Sequence, residues 1–388
     1  MFDYIIIGAG FAGAVIAERL ASERNASVLL VEKRPHIGGN CYDRYDDHGV
    51  LIHEYGPHLF HTSNAEVFHY LSRFTDWIEY QHRVLAVVDG QKVPLPFNLN
   101  ALHRLFPASL ADSLERKLIK RYGFDIKVPI LELKKEEDPQ LKFLADFIYN
   151  KVFLKYTVKQ WACPPEDIAP EVTARVPVFI SRDDHYFQDK YQVVPKHGYT
   201  RLFERLLGHP NIKLLLNTDY REILRLDFDT AEIQLFGQSF SGHLIHTGMI
   251  DELFDYRFGE LPYRSLKFRF EHLPQDLFQE VTTVNYPENY DFTRITEFKH
   301  ITRQKLPGTT IVREYPQDYD RLKNGRNIPY YPIFKDENTA RYRQYANFAR
   351  RFPKITLVGR LAEYRYYDMD DIVARALEVY RTRFATQT

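Results

Sequence analysis

The first thirty-two residues constrain this chain more than anything that follows. Asp3 to Ile7 is a short β-branched run, and Gly8-Ala9-Gly10-Phe11-Ala12-Gly13 follows without a gap. Ala14 to Arg24 then has helical character, and Ser27 to Val31 reads as a second strand closing on Glu32. Strand, glycine turn, helix and strand in that order put glycine where a tight turn and close pyrophosphate approach are needed. They also set phosphate at a helix N-terminus and an acid beside a ribose. The whole context, not the glycine spacing alone, predicts a dinucleotide-binding unit rather than an ordinary glycine-rich turn.

After Glu32 comes Lys33-Arg34-Pro35-His36-Ile37-Gly38-Gly39-Asn40. Amides beside paired glycines can line a cofactor closely, a geometry associated with FAD rather than NAD, with a plain loop as the alternative. One such fingerprint is present, so the sequence shows no second site of this kind for a nicotinamide partner. Cys41 and Cys163 are the two cysteines, which excludes a disulfide scaffold, a redox CxxC pair and a thiolate zinc site and fits a reducing cytoplasm. Glu18 and Arg19 interrupt the N-terminal apolar run, and no basic segment precedes it, so it reads as structure rather than as a leader or membrane span. With 52 Lys+Arg against 52 Asp+Glu the formal charge is zero, which argues against bulk nucleic-acid binding.

At roughly 100–200 residues per domain, 388 residues suggest two or three lobes. Residues 98–160 carry helical spacing, with Leu102, Leu105, Leu110, Leu114 and Leu118 on a broadly common face. From Ile212 the pattern turns to strands: Ile212–Leu216, Glu232–Leu235, Leu244–His246 and Leu266–Phe270. Ile355 to Arg360 reads as a buried strand and Asp368 to Arg381 as a helix. If that strand joins the N-terminal sheet, the helix N-terminus points at the cofactor. The expected class is α/β, with a discontinuous Rossmann-like FAD-binding domain (1–80, 193–250 and 305–388), a mainly helical insertion (98–160) and an antiparallel β-sheet domain (81–97, 161–192 and 251–304). The 27 Tyr and 28 Phe read mostly as aromatic core, except where Tyr clusters with Arg.

Specific segments then carry a resemblance. They are Gly56-Pro57-His58-Leu59-Phe60-His61-Thr62, Tyr156-Thr157-Val158-Lys159-Gln160-Trp161, Arg175-Val176-Pro177-Val178 and Asp183-Asp184-His185-Tyr186-Phe187. In the same order follow Phe292 to His300, Ile328-Pro329-Tyr330-Tyr331-Pro332, and Val358-Gly359-Arg360-Leu361 through Tyr364 to Asp370. From Tyr4 to about Tyr380 the chain resembles the prokaryotic UDP-galactopyranose mutases. The resemblance implies an intramolecular transferase in which N5 of reduced FAD attacks the anomeric carbon, UDP departs, and the sugar ring recloses one carbon smaller. It further implies interconversion of UDP-galactopyranose and UDP-galactofuranose, a place in surface-polysaccharide biosynthesis, an external reductant such as NAD(P)H, a cytoplasmic homodimer and no stable membrane insertion.

By the same resemblance Arg175 and Arg294 handle the diphosphate, a role suited to a permanently charged fork. Tyr186, Tyr330 and Tyr366 complete the phosphate site, Phe153 and Tyr156 hold the uracil and ribose, Asn285 contacts substrate, and Trp161 sits on a mobile loop near the sugar. Flanking Pro164, Pro165 and Pro170 argue for a non-helical segment there. His61 lies beside the flavin. The cofactor set is Gly8, Gly10, Phe11, Ala12, Gly13, Glu32, Lys33, Gly38, Gly39, Asn40, His58, Arg360, Asp368 and Met369. Asp368 reads equally as the N-cap of the last helix, and both readings are compatible. Two departures stand out. Many relatives have a second arginine four residues after Arg175, where Phe179 stands here and Arg182 follows three later; Val152 replaces an aromatic beside Phe153. An FAD oxidoreductase of the amine-oxidase type and a flavin-domain binding module without catalysis are the competing readings.

Overall fold

The computed structural model of the chain describes residues 2–162, 177–323 and 327–385. Its organising element is a five-stranded parallel sheet in the order Ile212–Leu215, Val28–Val31, Tyr4–Ile7, His243–His246 and Ile355–Leu357. These strands are short, nearly continuous apolar runs because both faces of the sheet are covered. Alternation sends Ile6, Leu30 and Ile245 into one cluster, together with the Phe11–Arg24 and Met369–Arg383 helices. It sends Ile5, Leu29 and Leu244 into another, with Phe254, Tyr345 and Phe352. Ile5 and Ile6 are wholly buried, and each contributes about 1.5–3 kcal/mol by leaving water. The C-terminal strand does join the N-terminal sheet, so the dinucleotide part is discontinuous in sequence.

A seven-stranded sheet forms the other large layer, ordered Tyr331–Pro332, Tyr263–Leu273, Thr309–Asp318, Arg294–Glu297, Thr283–Asn285, Val84–Val88 and Gln91–Leu95. Its ladders are antiparallel except between Thr283–Asn285 and Val84–Val88. The boundary expected at 305 therefore moves. Thr309–Asp318 pairs on both sides within this sheet, and Tyr331–Pro332 closes its edge, so neither belongs with the dinucleotide strands.

Between Leu99 and Trp161 the chain is mainly helical, with two corrections. The leucine face is split between the Leu99–Leu105 and Ala108–Tyr122 helices, because Phe106 turns extended before Pro107. Leu102, Leu114 and Leu118 still meet in one buried core, with Leu105 and Leu110 at its margin. A strand, Ile126–Val128, interrupts the helices and pairs with Val178–Ile180. Among the described residues no helix is long and apolar enough to cross a membrane.

Candidate active site

The turn after Tyr4–Ile7 shows why the glycines are there. Gly8 has φ +102°, a conformation that side chains rarely adopt, and its amide donates to the Val31 carbonyl at 2.8 Å. Gly13 lies so close that a Cβ there would fall on the Gly8 carbonyl oxygen, so the helix and strand can touch only through glycine. The second glycine pair meets the first: a Cβ on Gly39 would stand 2.9 Å from the Gly10 Cα, and the Gly38 amide donates to the Ala9 carbonyl at 2.9 Å. Glu32 braces this cradle, its carboxylate accepting from the Ala9 and Arg34 amides at 3.0 Å each.

The Phe11–Arg24 helix begins at this turn, three residues earlier than its pattern suggests, and no side chain caps its first amides. Uncapped donors and the positive end of the helix dipole beside a glycine-lined hollow suit a pyrophosphate. Gly8, Gly10, Phe11, Ala12, Glu32, Lys33, Gly38, Gly39, Asn40, His58, Arg360 and Met369 all line that hollow. Gly13 lies beneath it, and Asp368 faces the neighbouring cleft instead. Met369, the first residue of the last helix, lines both spaces, so this helix too presents its N-terminus to the cofactor cavity.

The second cleft adjoins the first, with Asn40, His58, Tyr330, Arg360 and Met369 shared between the two walls. One flank comes from the large sheet, whose register sets Asn285, Arg294 and Glu314 abreast on adjacent strands. Arg294 Nε donates to Glu314 Oε1 at 2.6 Å. Burial is the largest influence and works against the guanidinium charge, but the buried Glu314 carboxylate, together with Tyr156 and Tyr331, outweighs it and raises the arginine pKa. Arg294 is thus a fixed cation.

Opposite stands the helix Lys155–Trp161, which contributes Tyr156, Gln160 and Trp161 to the cleft. Trp161 is the last residue of that helix rather than part of a loop, because Arg264 caps its end, donating to the Lys159 and Gln160 carbonyls at 3.0 and 2.9 Å. Trp161 leans on Tyr331 at 5.6 Å, and Tyr331 stacks on Tyr366 at 5.9 Å and 7°. Arg360 lies over both tyrosine rings and donates to the Tyr330 carbonyl at 3.2 Å. The Tyr366 hydroxyl donates to Asp368 at 3.3 Å, while the Asp368 amide donates to Asp371, so Asp368 serves both the cleft and the start of the last helix. Burial raises the pKa of Tyr156 and Tyr330, keeping both phenols protonated donors.

His61 lies on Phe60–Thr62, stacked on Phe187 at 3.6 Å, with Nδ1 donating to Asp189 at 3.0 Å. His58 donates from Nδ1 to the Gly56 carbonyl at 2.8 Å, and burial pushes its pKa down to about 3. A neutral ring with Nδ1 protonated leaves Nε2 as an acceptor at the junction of the two cavities. The His58 imidazole is accordingly expected to show no titration between pH 5 and 9, which ring NMR shifts follow directly; a midpoint near 6.5 would refute this environment.

Phe153 falls in the buried core of the helical part beside Val152, behind the cleft wall, since the six-residue π-helix Tyr149–Leu154 turns both inward. Arg175 lies outside the described residues. Arg182 does not stand in for a second phosphate arginine: it points at Glu115, bound at 2.8 and 2.9 Å, and Phe179 is buried. Met249 is buried and lines the dinucleotide cavity, its carbonyl accepting from His246 at 3.2 Å. Sequence reasoning missed Glu314, His82, Gln160 and Tyr331. Tyr331 had a signal, lying beside Tyr330 in a quoted segment; Glu314 had none, because only strand register brings it to Arg294.

A glycine-cradled dinucleotide pocket opening onto a separate arginine–tyrosine cleft defines a dinucleotide-binding protein of the Rossmann-like class. A family model described as UDP-galactopyranose mutase matches residues 151–366, and one described as NAD(P)-binding Rossmann-like domain matches residues 6–74. The chain is 36% identical over 381 residues to a dTDP-fucopyranose mutase of Escherichia coli, covering 97% of each chain. It is 35% identical over 380 residues to a probable UDP-galactopyranose mutase of Klebsiella pneumoniae, covering 97% of this chain and 93% of the relative. A crystal structure of reduced UDP-galactopyranose mutase superposes with a TM-score of 0.73 at 18% identity, over 100% of this chain and 95% of the other, a likeness of fold. The chain belongs to the UDP-galactopyranose mutase family; it is an isomerase, and its cofactor is FAD.

Proposed function

We propose that the protein interconverts UDP-galactopyranose and UDP-galactofuranose, and that it does so only with reduced flavin. The observation that carries this reading is the join between the two cavities, which sets a fixed Arg294 cation and a tyrosine cluster directly beside the dinucleotide pocket. Reduced flavin, when bound, supplies a nucleophile for the anomeric carbon. The chain's own work is then to hold the nucleotide sugar, orient it and stabilise the charge that grows on the departing diphosphate.

Arg294, with Arg175, takes that charge, while the hydroxyls of Tyr186 and Tyr330, and that of Tyr366 once it turns from Asp368, donate to the phosphate oxygens without adding fixed charge. Tyr156 and Trp161 offer aromatic faces to the base and sugar, with Phe153 behind them. Asn285, abreast of Arg294, reads a polar group of the substrate. His61, held by Asp189 and Phe187, braces the flavin side of the cleft. Glycine-cradle amides, Lys33 and Arg360 hold the cofactor phosphates. The single glycine-turn fingerprint calls for an external reductant such as NAD(P)H that visits rather than resides. An amine-oxidase pocket has no use for a cation and several phenols arranged in this way.

A second reading has its own support. The Escherichia coli relative is described as a dTDP-fucopyranose mutase and is as similar as those described for UDP-galactopyranose, so the same chemistry on dTDP-fucopyranose is the alternative substrate. One experiment tests both: anaerobic incubation of dithionite-reduced protein with UDP-galactofuranose and, in parallel, dTDP-fucofuranose, followed by chromatography. Conversion of UDP-galactofuranose without net consumption of reductant is expected. Preference for the dTDP sugar would select the second reading, and equal activity with oxidised flavin, or none after reduction, would overturn both.

A further inference from the structure

Lys159 lies on the helix that carries Tyr156, Gln160 and Trp161, yet it is not among the residues lining the cleft. Its Nζ donates to four backbone carbonyls of one loop: Tyr286 at 2.5 Å, Phe292 at 3.1 Å, and Glu288 and Tyr290 at 3.2 Å each. That loop runs from Asn285 to Arg294, the two substrate-facing residues of the opposite flank. The Glu288 carbonyl also accepts from the Tyr290 amide at 2.9 Å. An irregular segment folded so that alternate carbonyls converge on one point crowds their partial negative charges, and a compact cation at the centre offsets that crowding and ties the loop together. An ammonium fits this ring: its three N–H groups, one shared between two of the four carbonyls, and its full charge occupy a small volume, whereas a planar guanidinium spreads its donors in a fork.

We propose that Lys159 is a positioning residue whose ammonium, seated in the carbonyl ring of residues 286–292, fixes the distance between the Tyr156–Trp161 flank and the Asn285–Arg294 flank and so sets the fit of the nucleotide sugar. The proposal rests on the mutase reading for its substrate, but the ring itself does not. Neighbouring cations reach the same loop by side-chain contacts alone. Lys155 donates to Asn289 Oδ1 at 2.8 Å and Lys151 to Glu288 at 3.1 Å. Burial draws the Lys159 pKa down to about 8, with Asp291 opposing the fall and Lys155 adding to it. Below pH 8 the ring therefore holds a cation.

The experiment uses full-length, flavin-loaded protein with Lys159→Met, Lys159→Gln and, as the neighbouring-cation control, Lys155→Met. Lys159→Met is expected to raise KM for the nucleotide sugar by roughly ten- to a hundredfold, with flavin content unchanged and kcat reduced much less. Lys155→Met is expected to shift KM by less than about twofold. Independently of turnover, amide hydrogen exchange in residues 286–292 is expected to quicken by roughly tenfold or more in Lys159→Met and not in Lys155→Met. If Lys159→Met does not accumulate with flavin bound, Lys159→Gln is read in its place on the same criteria. Unchanged exchange, a loss of melting temperature with KM unmoved, or equal effects from both lysines overturns the proposal. Faster exchange in a protein whose wild type converts neither sugar nucleotide would sink the mutase reading and leave the ring standing.

Discussion

Arg294→Ala is expected to lower turnover by ~100-fold or more while the protein keeps its flavin. The guanidinium is held at one point of the cleft by Glu314, and its charge does not depend on pH in any working range. A preorganised cation of this kind acts on charge as it develops and needs no reorganisation when the bond breaks. Deleting it has a second consequence. Glu314 is 1% exposed, so it is left as a buried carboxylate without its counter-charge, a loss of about 3–5 kcal/mol in comparable settings. Pairing Arg294→Ala with Glu314→Gln separates the two effects. If the defect is catalytic, the double variant regains thermal stability and remains at least ~100-fold slow. Recovery of turnover in the double variant would show instead that Arg294 acts by neutralising Glu314. Steady-state kcat under anaerobic reducing conditions, with flavin occupancy from visible absorbance, decides between them.

How much of this was legible in the residues follows from how local each feature is. The opening βαβ unit is local, and its strands lie where the β-branched runs place them. Only the helix start moved, to Phe11, because the glycine turn itself forms the first helical turn. Hydrophobic spacing read the helices of residues 98–160 but not the break before Pro107, since helical spacing continues across a short extended joint. The resemblance put Trp161 on a loop, whereas it ends a helix, because the Arg264 cap that closes that helix comes from about a hundred residues away; Pro164, Pro165 and Pro170 lie outside the described residues. Strand Tyr263–Leu273 outruns its apolar stretch Leu266–Phe270 because a long ladder with Thr309–Asp318 carries charged residues along the exposed face. Glu314, His82 and the carbonyl ring around Lys159 share this character. Each is a meeting of distant segments set by strand register or by loop path, and no window of sequence contains both partners.

The glycine cradle gives the other large effect. Gly13→Ala is expected to yield protein that is colourless after purification and takes up no flavin when FAD is supplied. The added Cβ would fall on the Gly8 carbonyl oxygen, 3.2 Å from the Gly8 carbonyl carbon and 3.1 Å from Ile6 Cγ2. Neither neighbour can step aside. The Gly8 amide is tied to Val31, and Ile6 is wholly buried in the central sheet. The helix Phe11–Arg24 must therefore lift from the strand, and its uncapped first amides and the Gly10–Gly39 approach move with it. Overpacking of this kind costs about 1–3 kcal/mol in a close-packed core. Against stability alone such a loss is survivable, so the sharper readout is the cofactor. Gly90→Ala is the matching control. Gly90 has φ +78°, and a Cβ added there would meet nothing within 4 Å, so it senses backbone strain of about 1–2 kcal/mol without touching the cradle. A yellow Gly13→Ala protein melting with the wild type would mean that the helix and strand do not meet through glycine. Loss of flavin in Gly90→Ala as well would mean that general destabilisation, not the shape of the cradle, releases the cofactor.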